Sequence, residues 1–380
     1  MRRRCFATEI IAILLIAILL AVKIFSFLLA TLSWAVFKGQ PADIIFLWNR
    51  WDAPHYVEIA KNGYTAVGEA RYFIVFMPLF PFLIKVVAVF VRNYEVAALL
   101  ISNSASVLAA LYLYRLARLD YPHGTALKSV FYFCIFPTSY FLIAGYTESL
   151  FLLLTIACFY YARRGKWFSA GVLGMLASAT RITGLVLIPA LFFELFSQTQ
   201  NAETQNAETK TRKSVLHALS VCCLIGLGFV SYLVLNYAVF GDAFAFLAVQ
   251  QEHWSKHLAP PWEGLLGALS SVFWRDAAGK VLVGGAELVF GLLGLACILY
   301  AVAARLRPSY TIYTLLTWLV VTSTSFWLSV PRYTLSLFPI FILLAVLGEK
   351  REELHYAMTV GFLLFFGFFL VLFTQGQWAF

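Results

Sequence analysis

Long apolar runs alternate with short polar segments along the whole chain. The longest runs cover residues 10–37, 94–114, 215–240, 281–304 and 356–373. A helix needs about 20 apolar residues to cross a bilayer, so each of these runs can span one. The runs lack the apolar–polar alternation of the strands in a membrane β-barrel. The pattern therefore predicts an all-α polytopic membrane protein.

Shorter or interrupted runs complicate the count of crossings. Residues 73–91 contain two prolines, the runs 130–144 and 149–161 are short, and Arg181 interrupts the run 167–194, which predicts a helical hairpin or broken helix. Counting all runs predicts about ten to twelve transmembrane helices. Successive loops can alternate between the two sides of the membrane, with the basic segments inside, only if one of the segments 73–91 and 130–144 is re-entrant.

Composition and charge support the membrane assignment. Apolar residues make up 62% of the chain and charged residues 12%, whereas soluble domains average about 25% charged residues. The net charge of +9 comes mainly from short basic segments between the apolar runs, which argues against a nucleic-acid surface. Examples are 2–4, 163–166 and 305–307. The positive-inside rule places them in the cytoplasm and the first loop, 38–73, outside.

The first loop concentrates polar residues beside the membrane, among them Arg50, Trp51, Asp52 and His55. An aspartate followed by Ala-Pro is also a helix-start pattern, so Asp52 is either a functional carboxylate or only the N-cap of a short helix. His55 would lie on the same face of that helix. There it either shares a hydrogen bond with Asp52, orients a substrate or packs at the membrane interface.

Three more ionisable residues, Glu148, Arg181 and Arg332, are predicted at the outer ends of spans. Charges at membrane depth cost several kcal/mol unless they are paired or lie in a wet cavity, which makes these residues functional candidates. Arg332 is either a phosphate ligand or an arginine reaching to the interface. Arg181 is either an alternative phosphate ligand or half of a buried pair with Glu148.

Two further polar regions interrupt the apolar pattern. Residues 198–213 contain Gln-Asn-Ala-Glu-Thr twice in succession and are predicted to form a flexible cytoplasmic linker. Residues 241–280 form a second external region. Its segment Glu252-His253-x-x-x-His257 is similar to a zinc-binding pattern, but it lacks the HExxH order and an obvious third ligand. We therefore expect no metal and no cofactor.

Several sequence blocks carry a family resemblance. The first is Trp51-Asp52-x-x-His55-Tyr56-x-x-Ile59-Ala60-x-x-Gly63-Tyr64. The others are Met77-Pro78-Leu79-Phe80-Pro81, Tyr146-Thr147-Glu148-Ser149-Leu150-Phe151, Ala179-Thr180-Arg181-Ile182-Thr183-Gly184, Phe240-Gly241-Asp242-Ala243 with Gln250-Gln251-Glu252-His253-Trp254, and Pro331-Arg332-Tyr333 with Phe338-Pro339. In type and order these blocks resemble the PIG-V family of mannosyltransferases, membrane enzymes with the GT-C fold.

The resemblance implies a fold and an activity. The fold is a GT-C-type helical bundle that forms a single membrane domain, 1–380, with a functional first external loop. The activity is transfer of mannose, with inversion, from a polyprenyl-phosphate-linked donor to an extracytoplasmic glycolipid or glycan acceptor. No nucleic acid is expected as a partner. If the chain is prokaryotic, the site faces outward from the plasma membrane.

The resemblance also implies roles for residues. Asp52 would be the general base that deprotonates the acceptor hydroxyl. Arg332, or alternatively Arg181, would stabilise the charge that develops on the departing phosphate. The substrate-binding candidates are Arg50, Trp51, His55, Glu148, Arg181, Gln251, Trp254, Arg332 and Tyr333.

Two other classes of protein remain as alternatives. A transporter or lipid flippase predicts charges near the bilayer midplane and two halves of matching pattern. A structural subunit of a larger assembly predicts that Asp52 tolerates alanine. The gathering of charges at one face and the lack of matching halves favour the enzyme.

Overall fold

The structure is a computed structural model. It describes the backbone of residues 2–200 and 207–380 and the side chains of 17–198 and 216–380. The helices of the first half are α1 Arg2–Lys38, α2 Ile44–Trp48, α3 Ala53–Asn62, α4 Leu79–Val91, α5 Tyr94–Ala117, α6 His123–Ile135, α7 Glu148–Arg163, α8 Trp167–Thr180 and α9 Leu187–Gln200. Short 3₁₀ helices lie at Glu69–Val75, Ser139–Leu142 and Ile182–Val186.

The second half is also helical. Its helices are α10 Ala207–Phe240, α11 Ala245–Trp254, α12 Pro261–Trp274, α13 Ala277–Gly279, α14 Ala286–Ala303, α15 Pro308–Thr322, α16 Val330–Thr334, α17 Pro339–Lys350 and α18 Glu352–Thr374. A π-helical turn, Lys280–Gly285, joins α13 to α14. Extended pairing in the described residues is limited to one isolated antiparallel bridge, between Leu258 and Thr324.

In the part of the chain that the structure describes, five helices are long and apolar enough to cross a membrane, or six if the bent pair Glu69–Val75 and α4 is one span. The five are Ala17–Lys38 in α1, Tyr94–Ala117, Leu216–Phe240 in α10, Ala277–Ala303 and Glu352–Thr374. Shorter apolar helices complete the bundle, and the chain is an all-α, multi-pass integral membrane protein, as the hydrophobic pattern predicts. The centre of the predicted linker 198–213 lies outside the described residues, while α9 and α10 extend into its two ends.

Two breaks fall where the sequence predicts them. The 3₁₀ helix Glu69–Val75 and α4 are bent by 112° relative to each other, as in a broken span or a re-entrant loop. Residues 73–91 are one of the two segments predicted to be re-entrant. The apolar run 167–194 is interrupted at Arg181, where α8 has ended and a 3₁₀ turn begins.

The helices pack closely through glycine. A Cβ on Gly228 of α10 would lie 2.0 Å from the carbonyl oxygen of Met175, and one on Gly171 of α8 would lie 2.7 Å from Leu224. Association between helices in a membrane depends on such close packing, because lipid tails are as apolar as the side chains they would replace. Large apolar residues cover the outside, including Val234 and Phe365.

One end of the bundle is held together by a polar network, and we call it the Arg163 end. Arg163, at the end of α7, donates two hydrogen bonds of 2.6 and 2.7 Å to Asp120. Glu194 of α9 is fully buried and accepts two bonds of 2.7 Å from Arg307 and one from Ser309. The basic segments 163–166 and 305–307 therefore meet at one end, as expected for the cytoplasmic side.

Candidate active site

The turn before α3 sets the position of the first-loop residues. Trp51 has a left-handed backbone with φ of 53°, a conformation that costs an L-residue roughly 1–2 kcal/mol. Pro54 lies in the first turn of α3, and Gly63, with φ of 81°, ends the helix. Asp52 occupies the N-cap position, but its side chain makes no capping hydrogen bond. The interpretation of Asp52 as only an N-cap is therefore wrong.

The Asp52 side chain contacts Arg332 of α16 instead. Its Oδ2 accepts a hydrogen bond of 2.7 Å from Nη1 of Arg332. The Asp52 side chain is 28% exposed, whereas the Arg332 side chain is only 8% exposed. The Asp52 carboxylate is therefore accessible to solvent, whereas its counter-ion is buried.

Glu148, the first residue of α7, extends this ion pair into a cluster. Its side chain is completely buried, and its Oε1 lies 2.8 Å from Nε of Arg332 and 2.5 Å from Nη1 of Arg181. Arg181 also donates a bond of 3.1 Å to the hydroxyl of Thr147. The pairing of Arg181 with Glu148 is therefore confirmed. We call Asp52, Glu148, Arg181 and Arg332 the outer cluster, after the side of the membrane that the sequence predicts for them. Its two acids and two arginines balance in charge.

Tyr146 holds the backbone of Arg50 and Asp52 in place. Its hydroxyl donates a bond of 2.8 Å to the carbonyl of Arg50 and accepts one of 3.1 Å from the backbone N–H of Asp52. The ring is fully buried, and the backbone N–H of Tyr146 donates to the hydroxyl of Ser102 on α5. Tyr146 lies in a family block, but nothing in the sequence around it indicates these contacts.

Glu287 fixes the helix that carries Arg332. Its buried carboxylate accepts backbone N–H bonds of 2.6 Å from Ser329 and 2.8 Å from Val330, at the start of α16. A carboxylate at a helix N-terminus satisfies free N–H groups and interacts favourably with the helix dipole. Sequence reasoning missed Glu287. A single acid within the apolar run 281–304 was the available signal, because such a charge is costly in a membrane.

His55 lies in an aromatic pocket and makes no hydrogen bond to the Asp52 side chain. Its ring contacts Phe73 edge-on at 4.4 Å and stacks on Phe76 at 5.5 Å. Its Nδ1 is buried without a partner among the described residues. Burial lowers the pKa of His55, and the charge of nearby His253 adds to this effect while Asp52 opposes it. His55 is therefore neutral near pH 7.

The other predicted binding residues are spread around the outer cluster. Tyr333 is half-buried, with its ring centre 5.2 Å from the guanidinium carbons of both Arg181 and Arg332. Trp254 packs edge-on against Phe76 at 6.2 Å, next to the His55 pocket.

Three further predicted binding residues, like His55 and Trp254, form no side-chain hydrogen bond or ion pair with the outer cluster among the described residues. The Arg50 guanidinium lies over Phe46 at 3.8 Å and donates to the carbonyl of Thr374. Trp51 is 41% exposed and packs on Trp378, and Gln251 is exposed on α11.

The zinc-like pattern does not form a site. Helix α11 ends at Trp254, and the next residue, Ser255, has a left-handed φ of 54°, so His253 and His257 do not share a helix face. Glu252 pairs with Arg71 at 2.7 Å, and His253 stacks on Tyr72 at 4.0 Å. Within the described part of the chain, no three His, Cys, Asp or Glu residues could hold one metal ion.

The fold is similar to that of a solved membrane glycosyltransferase. The apo form of the Archaeoglobus fulgidus oligosaccharyltransferase aligns with a TM-score of 0.52 and 14% identity, over 95% of this chain and 56% of that one. A form in complex with zinc and sulfate aligns with a TM-score of 0.51 and 16% identity, over 95% and 53%. At these identities the likeness shows the fold alone, which is a GT-C-type helical bundle.

The family is defined by sequence. The model of the family described as Mannosyltransferase (PIG-V) matches residues 10–274, well over half of the chain. The chain therefore belongs to the PIG-V mannosyltransferase family, as the ordered blocks predict.

Curated proteins with similar sequences include the mouse and human proteins named GPI alpha-1,6-mannosyltransferase 2. The mouse protein is 32% identical over 187 residues, which is 46% of this chain and 36% of the mouse protein. The human protein is 31% identical over 164 residues, which is 40% of this chain and 32% of the human one. The matched region thus spans about a third of the length of these relatives.

Proposed function

We propose that this protein transfers mannose from a polyprenyl-phosphate-linked donor to an extracytoplasmic glycolipid or glycan acceptor, with inversion at the anomeric carbon. The observation that carries the proposal is the accessible carboxylate of Asp52, a residue of the first family block. This carboxylate lies 2.7 Å from the buried Arg332. Family membership supports mannose as the sugar. The site would face the outside of the plasma membrane in a prokaryotic cell.

Asp52 acts as the general base in this proposal. Its Oδ2 is held by Arg332, and a carboxylate can accept a proton. Oδ1 receives no hydrogen bond from the described side chains and is left to accept one from the acceptor hydroxyl. As that hydroxyl oxygen bonds to the anomeric carbon, its proton moves to Asp52. A single displacement of this kind inverts the anomeric configuration.

The arginines act on the leaving group. The bond between the anomeric carbon and the phosphate oxygen breaks, and its electron pair stays on the phosphate. The phosphate thereby gains one negative charge, which Arg332 and Arg181 stabilise. A guanidinium offers five N–H donors in a fixed plane, so Arg332 can hold both a carboxylate and a phosphate oxygen.

The decisive experiment is a transfer assay with the purified protein, polyprenyl-phosphate-mannose and a panel of acceptors. Asp52→Asn should reduce turnover by roughly 10²- to 10⁴-fold, because it removes the base and keeps the shape. Asp43→Asn is the matched control, since Asp43 caps α2 in the same loop and asparagine also caps helices. Unchanged turnover in Asp52→Asn would eliminate the proposed mechanism.

The proposed chemistry uses no metal, because the donor carries a phosphodiester with one negative charge rather than a nucleotide diphosphate. A chelator should leave the transfer rate unchanged. Loss of activity on chelation, restored by a divalent cation, would contradict this part of the proposal.

The transporter alternative fits the positions of the charges less well. The buried ion pairs of the described residues form two groups at opposite ends of α7: the outer cluster, at Glu148, and the Arg163 end. A transporter of a charged substrate would place such groups near the membrane midplane.

A further inference from the structure

Three cations surround the ring of Tyr333. The guanidinium carbons of Arg181 and Arg332 lie 5.2 Å from its centre, and Nζ of Lys256 lies 5.8 Å from it. Lys256 comes from the second external region, after α11, and is half-buried. It brings a positive charge from a separate part of the chain to the edge of the outer cluster.

Lys256 differs from the two arginines in its partners. Arg181 contacts Glu148, and Arg332 contacts Glu148 and Asp52. Among the described side chains Lys256 pairs with no carboxylate; its ammonium donates one bond of 3.2 Å to the carbonyl of Leu328. An ammonium has three N–H donors, so two remain for a ligand.

The neighbouring acid does not neutralise Lys256 by contact. Glu287 binds the next two backbone N–H groups of the same turn, those of Ser329 and Val330, with one oxygen each. It forms no ion pair with Lys256. Of the three cations around Tyr333, Lys256 is therefore the one that is not bound to a carboxylate.

The segment that carries Lys256 is held in place. The backbone N–H of Ser325 donates to the carbonyl of His257 at 3.0 Å, and that of Ala259 donates to the carbonyl of Ser323 at 3.3 Å. The bridge between Leu258 and Thr324 completes this pairing. The ammonium is thus presented beside Tyr333 from a fixed backbone, which reduces the ordering cost of binding a ligand.

We propose that Lys256 is a phosphate ligand that binds the donor phosphodiester and, more tightly, the phosphomonoester released after transfer. This inference rests on the proposed function, because it takes the donor to be a lipid phosphate. The outer cluster is neutral in charge, and the phosphodiester brings one negative charge. Departure of the sugar leaves the lipid phosphate with a second negative charge, so the attraction to the ammonium increases as the reaction proceeds.

The test measures binding of polyprenyl phosphate and of the uncharged polyprenol to the purified full chain, together with transfer from polyprenyl-phosphate-mannose. Lys256→Met should weaken binding of polyprenyl phosphate by about 10- to 100-fold, as expected for loss of hydrogen bonds from a charged donor. Binding of polyprenol should not change, and the donor KM should rise. Lys256→Arg should retain most of the affinity. Lys280→Met, an exposed lysine in the same region, is the matched control.

The outcomes separate this inference from the proposed function. If the wild type transfers mannose and prefers polyprenyl phosphate over polyprenol, and Lys256→Met keeps that preference, the assignment of Lys256 is wrong and the proposed function stands. Equal weakening of both lipids in Lys256→Met would mean that Lys256 only holds the Leu328 carbonyl, which also overturns the assignment. A wild type with neither transfer nor preference would overturn both.

Discussion

The Asp52 carboxylate and the Arg332 guanidinium lie 2.7 Å apart although 280 positions separate them in the sequence. The backbone near each of these two residues is held by a further side chain that is not part of the ion pair. Tyr146 binds the backbone around Asp52, and Glu287 binds the start of the helix that carries Arg332. The geometry of the pair therefore depends on the turn before α7 and on α14, as well as on the two segments that carry the pair.

Replacement of Arg332 tests the outer cluster directly. Arg332→Ala should lower the free energy of unfolding by about 3–5 kcal/mol, because it leaves the buried Glu148 with one partner and Asp52 with none. Thermal or denaturant unfolding in detergent measures the loss. The double variant Arg332→Ala with Asp52→Asn should be less destabilised than the sum of the two single variants. Additive effects would show that the two side chains are not coupled.

Replacement of Glu287 tests the positioning of α16. Glu287→Gln keeps one acceptor oxygen but turns an amide N–H₂ toward the second backbone N–H, which leaves a buried donor unsatisfied. We expect roughly 1–3 kcal/mol of destabilisation. We also expect a higher donor KM, because Arg332 moves with the helix. Assays on the folded fraction separate the two effects, and an unchanged donor KM would limit Glu287 to a purely structural role.

Glu194 at the Arg163 end provides the matched control. Glu194→Gln removes the charge that binds Arg307 through two bonds, so unfolding should become easier by about 3 kcal/mol. The kcat and KM of the protein that remains folded should not change, because the network lies at the opposite end of the bundle. A change in donor KM as large as that of Glu287→Gln would indicate that the two ends are coupled.

His55 predicts a pH dependence of stability. Because burial lowers the pKa of His55, the unfolded chain binds this proton more readily than the folded protein does. The folded protein should therefore lose stability as the pH falls below the ordinary histidine value of about 6.5, and this contribution should be absent at higher pH. The apparent Tm measured from pH 7.5 to 5.5 should fall less in His55→Gln than in the wild type. A larger fall in the variant would contradict the lowered pKa.

The sequence predicts the local features of the site well. The short helix after Asp52 and the interruption at Arg181 both follow from local residue preferences, and the structure contains both of them. The three alternatives left open for His55 could not be separated from sequence, since its surroundings come from Phe73 and Phe76 in the next segment. The same limit applied to Asp52, whose partner lies near the other end of the chain.

By itself, the sequence determined that the chain is a helical membrane protein with a polar first loop, because apolar length and charge pattern are properties of contiguous segments. It also determined the family, because the ordered blocks can be compared without a fold. Only the tertiary structure decided that Arg332 contacts Asp52, that Arg181 contacts Glu148, and that Tyr146, Glu287 and Lys256 belong beside them. Those contacts depend on how helices far apart in the sequence pack against each other, and no pattern within a short segment specifies that packing.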